Sequence, residues 1–213
     1  HIDPKLVGNE MRVVVSELSG RANLVSKATE LGLEGLDDKL GAKVVEVIKA
    51  KEHEGFSFEA AEASVALLVR RLAPDYQPVF NLVDYRGMVS RHGDRHMAEA
   101  TIKLNVRGQE VHTAAEGNGP VNAFDTALRK ALQPLFPAID QIQLADYKVR
   151  ILNSNTGTGA ITRVLIDWHD GDTRRWSTVG AGTNILDATW LALADGYEFA
   201  LMARPAAKGE TIA

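Results

Sequence analysis

Leu82-Val83-Asp84-Tyr85-Arg86 recurs as Leu144-Ala145-Asp146-Tyr147-Lys148, at an offset of 144 − 82 = 62 residues. Three more matches follow in the same order. Gly108 meets Gly171 at 171 − 108 = 63, and Gly117-Asn118-Gly119 meets Gly180-Ala181-Gly182 at the same offset. Asn122-Ala123-Phe124-Asp125 then meets Asn184-Ile185-Leu186-Asp187 at 184 − 122 = 62. Ordered landmarks with a one-residue slip mark an internal duplication. Each unit reads strand, strand, strand, Gly-x-Gly loop, helix. A unit this small cannot bury both faces of a three-stranded sheet, so the copies are expected to pack as a pseudo-two-fold βββα pair. The expected fold class is α+β.

Periodicity supports the same elements. From Met97 to Val106, Ala98, Ala100, Ile102, Leu104 and Val106 alternate with Glu99, Thr101, Lys103 and Asn105, as in a strand covered on one side. Thr162, Val164, Ile166 and Trp168 alternate likewise. Arg107-Gly108 and Asp170-Gly171-Asp172 suit tight hairpin turns, and helices are expected over 124–135 and 185–201. The two units then cover about 78–138 and 139–203. Residues 1–73 read instead as a helical subdomain, after an entry in which Arg12-Val13-Val14-Val15 is strand-like. Ser19 caps a first helix that carries Leu24, Ala28 and Leu31 and stops at Gly32. A second is expected over 37–53, with Asp37 and Asp38 at its positive end and Leu40, Val44, Val47 and Ile48 on one face. A third begins near Ser57 and aligns Phe58, Ala61, Val65, Leu68 and Leu72. Pro74 and Pro78 bracket the boundary with a second domain, 74–213.

Composition narrows the function. The 213 residues include 24 basic and 28 acidic side chains, for a net charge of −4, and 45% of the chain is apolar. Mild acidity argues against nucleic acid or an anionic membrane surface as the partner. With no cysteine there is no disulfide, thiolate nucleophile or cysteine-ligated metal, and the composition fits a reducing cytoplasm. The longest fully apolar runs, such as Val65 to Val69, fall far short of the roughly 20 residues of a membrane span. The chain does not begin with Met, so it is expected to be part of a longer protein.

Little here signals catalysis. His92 and His96 flank a Gly93-Asp94 loop, and His112 and His169 fall on strands without acidic partners at metal spacing. No nucleophile elbow marks a Ser-His-Asp set. The Gly-x-Gly loops are more informative, because each ends a strand and opens a helix. Backbone amides and the helix dipole there suit a carboxylate or phosphate, although glycines serving only a tight turn would read the same. Neither loop has a dinucleotide fingerprint or a Walker lysine. Tyr85 and Tyr147, each after an Asp in equivalent strands, fit core aromatics and ligand-site walls equally well.

Three stretches carry a resemblance: Ser16-Glu17-Leu18-Ser19-Gly20-Arg21-Ala22-Asn23, Gly117-Asn118-Gly119-Pro120-Val121-Asn122-Ala123, and Leu144-Ala145-Asp146-Tyr147. They resemble the C-terminal part of the isopropylmalate and homocitrate synthase family over essentially the whole chain. The opening His1-Ile2-Asp3-Pro4, with Val7-Gly8-Asn9 and the Ser-Glu-Leu-Ser-Gly-Arg run, is most similar to its citramalate synthase branch. The resemblance implies a helical linker followed by a regulatory domain of two βββα units that binds an end-product amino acid at a homodimer interface. The effector implied is isoleucine for citramalate synthases and leucine for isopropylmalate synthases. Condensation of acetyl-CoA with pyruvate, and the divalent metal it uses, would belong to a TIM barrel outside this chain. Such a barrel needs about 250 residues, so this chain is expected to hold no cofactor and to be inactive alone.

Carried over by position, the resemblance places Asn118, Val121 and Asn122 at the effector site, with Leu144, Tyr147 and Ile151 on one strand and Ala181 and Thr183 at the second loop. Amides at the helix starts would take the effector carboxylate, oxygens its ammonium, and Leu144 and Ile151 its aliphatic tail. The chain departs from isopropylmalate synthases at Leu18, where they carry a linker histidine, so no catalytic residue is assigned. Beside the citramalate synthase reading stand two others: a leucine-regulated isopropylmalate synthase domain and a free-standing amino-acid-sensing module.

Overall fold

The structure is a computed structural model that describes residues 38–171 and 174–202. The expected strand at 12–15, the helix starting at Ser19, the Ser16–Asn23 motif and Asp172 lie outside the described residues. Four α-helices are described: α1 (Asp38–His53), α2 (Glu62–Arg71), α3 (Pro120–Leu132) and α4 (Ile185–Met202). The strands are β1 (Phe80–His92), β2 (Arg95–Val106), β3 (Gln109–Gly117), β4 (Ile142–Leu152), β5 (Ile161–Asp170) and β6 (Arg174–Gly182). They form two antiparallel sheets, ordered β1-β2-β3 and β4-β5-β6, each followed by its helix. The βββα duplication and the α+β class are therefore present as expected.

The repeat follows a register different from the one its glycines suggest. Both first strands bulge at the same place, Leu82/Asp84 and Leu144/Asp146, an offset of 62. Tyr85 pairs with Ile102 and Tyr147 with Ile166, so the second strands correspond at 166 − 102 = 64. Ile102 pairs with Thr113 and Ile166 with Thr178, so the third strands correspond at 178 − 113 = 65. The helices keep that last offset: Thr113 Oγ1 donates to Ala127 O at 2.8 Å, and Thr178 Oγ1 to Ala192 O at 2.7 Å. The first connection has grown by two residues and the second by one. Gly117 thus corresponds to Gly182, and Asn122 to Asp187. The similar tripeptides at an offset of 63 are neighbours of the true pair.

Helix boundaries shift for local reasons. α2 begins at Glu62 rather than near Ser57. Phe56 and Phe58, two residues apart, are both buried and their rings stack at 5.9 Å, whereas helical spacing would send them to different faces. α3 begins at Pro120, four residues before the expected Phe124, because proline at the first helical position needs no N–H and already has the right φ. It stops ahead of Pro134, which cannot extend the hydrogen-bond ladder.

One continuous core joins the units. Ile102 and Leu104 of β2, Phe124, Leu128 and Leu132 of α3, Val164, Ile166 and Trp168 of β5, and Leu193 and Tyr197 of α4 are all buried in it. Polar ties cross it as well. Tyr197 OH donates to Asp125, whose other oxygen accepts from Arg129 Nε at 2.9 Å. Arg129 also donates to Ile139 O and Ile142 O, in the connection between the units.

The outer sheet faces differ. On the second sheet, Val179, Ala181, Ile161 and Leu165 pack under Val44 and Ile48 of α1 with Phe56, Phe58, Val65 and Val69. Arg163 donates from Nε to Gly55 O at 2.5 Å and from Nη2 to Phe56 O at 3.2 Å, fixing that cover to β5. The first sheet turns Lys103, Glu110, His112 and Glu116 outward, with Lys103 and Glu110 paired at 2.8 Å.

Candidate functional site

The strand-to-helix junctions are built by close backbone approach. A Cβ on Gly117 would stand 2.4 Å from Ala123 N of α3, and one on Gly180 would stand 1.9 Å from Ala188 O of α4. Only glycine lets strand and helix backbones meet there. The two helix starts are then finished differently. At α3 the N-cap is Gly119, with no side-chain cap. Asn122 instead reaches back, its Oδ1 accepting the Asn118 N–H at 3.1 Å. At α4, Asn184 Oδ1 accepts the Leu186 N–H at 2.8 Å. An uncapped start such as that of α3 keeps first-turn amides available to an anion.

The expected site residues divide into three groups. Asn118 and Asn122 are exposed and hydrogen-bonded to each other, with half-buried Val121 beside them. Leu144 and Tyr147 pack against the shared core, the bulge between them bringing both to one face of β4. Ile151 shares that face by its period of two but lies beyond the helix and is 68% exposed. Thr183 is exposed in the second loop. Ala181 points the other way, into the apolar layer beneath α1.

Three residues not singled out from the sequence complete the start of α4. Tyr147 OH and Thr189 Oγ1 lie 2.7 Å apart. Tyr85 OH donates to Asp187, and its ring meets Phe124 edge-on at 5.1 Å and Trp190 at 6.2 Å. Burial, followed by the hydrogen bond and charge of Asp187, pushes the Tyr85 hydroxyl up to about 12. Burial raises Tyr147 above its ordinary value too. Both tyrosines therefore do what their two open readings allowed in part: they are half-buried core aromatics whose hydroxyls already have partners on α4. Asp187 was hidden because the similar Asn122–Asp125 and Asn184–Asp187 tetrapeptides, at an offset of 62, aligned it with Asp125 instead of Asn122.

The edge strands carry the unusual surface. β1 exposes Val83, Met88 and Val89, β4 exposes Val149 and Ile151, and Ile185 is exposed at the start of α4. Val89 is 62% exposed beside Met88 at 58%. Exposed apolar side chains on unpaired strand edges suit association. Among the described residues, no group of three His, Asp or Glu side chains is arranged to hold a metal ion. No described helix is long and apolar enough to cross a membrane.

Similarity to known proteins agrees with this geometry. The chain is 47% identical over 209 residues to the (R)-citramalate synthase of Aquifex aeolicus, covering 95% of this chain and 39% of that protein. It is 45% identical over 204 residues to the (R)-citramalate synthase of Geobacter sulfurreducens, covering 94% of this chain and 38% of that protein. Against the 2-isopropylmalate synthase of Aquifex aeolicus the identity is 30% over 207 residues, covering 94% of this chain and 36% of that protein. The chain thus spans about two-fifths of the length of the curated relatives it matches. Residues 59–201, which take in α2 and both βββα units, match the LeuA allosteric (dimerisation) domain, and the chain belongs to that family.

Proposed function

We propose that this chain is the allosteric and dimerisation region of a cytoplasmic citramalate synthase-type acyltransferase, and that it binds isoleucine as feedback inhibitor. The observation that carries the branch is the contrast between two proteins of one organism. Identity is 47% to the citramalate synthase of Aquifex aeolicus and 30% to its isopropylmalate synthase, over nearly the same stretch. In this reading the full-length enzyme joins acetyl-CoA to pyruvate in a metal-dependent barrel ahead of residues 1–73, which act as linker. The chain alone performs no condensation.

The effector site in this reading gathers Asn118, Val121, Asn122, Leu144, Tyr147, Ile151 and Thr183 at a homodimer interface, with Ala181 backing the second loop. The uncapped start of α3 supports a carboxylate there, and exposed Ile151 and Val149 support an aliphatic tail and a second copy of the chain. Leucine and isoleucine differ only in branching, so discrimination of about 1–3 kcal/mol must come from pocket shape. Calorimetric titration of the 213-residue chain with isoleucine and with leucine tests the proposal. Tighter binding of isoleucine supports it. Preference for leucine moves the chain to the isopropylmalate branch, and binding of neither overturns the effector site.

A further inference from the structure

α4 runs from the second glycine loop to Met202, 18 residues or about 27 Å. Its first turns carry Asp187 and Thr189, bound to Tyr85 and Tyr147. Asp195 and Glu198 lie further along, and their spacing of three puts them on one face. Two other segments, α2 and residues 76–79, converge on these two carboxylates. Arg71 Nη2, at the end of α2, donates to Asp195 Oδ1 at 2.7 Å and to Glu198 Oε2 at 2.6 Å. Ser64 Oγ of α2 donates to Asp195 Oδ2 at 2.7 Å and accepts the Val179 N–H of β6 at 3.1 Å. Tyr76 OH donates to Glu198 Oε1, with the Val79 N–H at 3.4 Å from the same oxygen.

The charges do not cancel, since two carboxylates face one guanidinium. Burial works against the charge on Arg71, yet Asp195 and Glu198 hold the guanidinium above its ordinary value. Burial raises Asp195, against the pull of Arg71 and Ser64. A buried ionic cluster adds little net stability compared with an apolar contact, and its better-attested role is to fix one arrangement against another. Space for the alternative arrangement is present. A cavity of about 320 Å³ beside the cluster is lined by Arg71, Tyr76, Phe80, Trp190, Asp195 and Glu198. In the alternative arrangement Arg71 would turn into that space, at the cost of its two carboxylate bonds. Apolar faces slide by degrees, whereas one nitrogen shared between two carboxylates either makes its two bonds or loses them.

We propose that the Arg71–Asp195–Glu198 cluster is the coupling element by which occupancy at the start of α4 sets the grip of that helix on α2. α4 is the rigid rod between them. The inference rests on the effector reading above. It is tested by hydrogen exchange on the full chain with and without saturating isoleucine, beside calorimetry on the same samples. Amides of α2 and of residues 76, 77 and 79 should change their exchange rate about fivefold or more when isoleucine binds. In Arg71→Met that response should fall below about twofold while isoleucine still binds, and by reciprocity its Kd should shift by a factor comparable to the lost coupling. Arg71→Lys, which keeps the charge on a shorter side chain, should give an intermediate response and guards against a folding defect in the methionine variant. Isoleucine binding that leaves α2 exchange unchanged in the wild type overturns the inference alone, as does a full response in either variant. Absence of binding overturns the effector reading and this inference with it.

Discussion

Thr113 and Thr178 hold equivalent places in the two units, and replacing each with valine should have very different costs. Both hydroxyls donate to a carbonyl of their own helix, Ala127 O at 2.8 Å and Ala192 O at 2.7 Å. Each carbonyl keeps its ordinary helical bond from four residues ahead, so losing the extra bond costs about 1 kcal/mol at either site. Thr178 has a second task. It is fully buried, and its oxygen accepts the Trp168 indole N–H at 2.9 Å. Valine fills the same volume but orphans that donor inside the core, adding about 1–3 kcal/mol. The expected totals are about 1 kcal/mol for Thr113→Val and roughly 3 kcal/mol for Thr178→Val. In a chain of this size these correspond to falls in Tm of about 3 °C and 9 °C. Thermal unfolding of the two variants at one fixed protein concentration measures the difference, since association would make Tm depend on concentration. Near-equal Tm values would refute the assignment of Thr178 as the sole support of the Trp168 N–H.

All four tyrosines should resist ionisation in the folded chain. Burial is the leading cause throughout; it is joined by Glu198 at Tyr76 and by Asp187 at Tyr85, both pushed up to about 12, while Tyr147 is raised and Tyr197 stands well above its ordinary value beside Asp125. A raised folded value favours the neutral form, so its stabilisation is complete below the unfolded value of about 10 and is lost as pH climbs through the folded one. Ultraviolet titration of the native chain should leave Tyr76, Tyr85 and Tyr197 neutral through pH 10 until urea is added, and two or more native tyrosines titrating there would count against the assigned partners. Ile151→Glu alters a side chain that is 68% exposed, so the fold should persist while a charge enters the apolar edge. If the chain pairs as proposed, sedimentation should show a dimer for the unaltered chain and a monomer for the variant, and an undisturbed dimer would remove the β4 edge from the interface.

The sequence makes the architecture legible where side chains alternate. Met97–Val106 declares one covered face, and the Asp-Tyr pairs mark the bulged first strands. The register of the later elements was hidden because glycine tripeptides match by composition, whereas hairpin length is free to change in solvent. Two added residues before β5 and one before β6 moved every later correspondence. The orientation of Ala181 was hidden for a different reason. β6 is buried on both faces from Trp176 to Ala181, so it lacks the alternation that tells inside from outside. What covers its outer side comes from α1 and α2, more than 100 residues earlier in the chain. Asp195 and Glu198 likewise look like solvated helix charges until Arg71 arrives opposite them.

The unequal outer faces of the two sheets determine where this protein can be cut. Trimming the chain to begin at β1 would remove Val44, Ile48, Phe56 and Phe58 and leave Val179, Ala181, Ile161 and Leu165 bare. It would also take from Arg163 the two carbonyls that receive its guanidinium. Such a product keeps both repeats yet gains a sticky strip on one of them, and poor solubility is the expected result. The first sheet has no such dependence, and its charged outer face would accept a fusion or a tag. The repeat is symmetric in chain path and asymmetric in cover: both copies share one core, but only the second needs a helper from outside the duplication over its outer face.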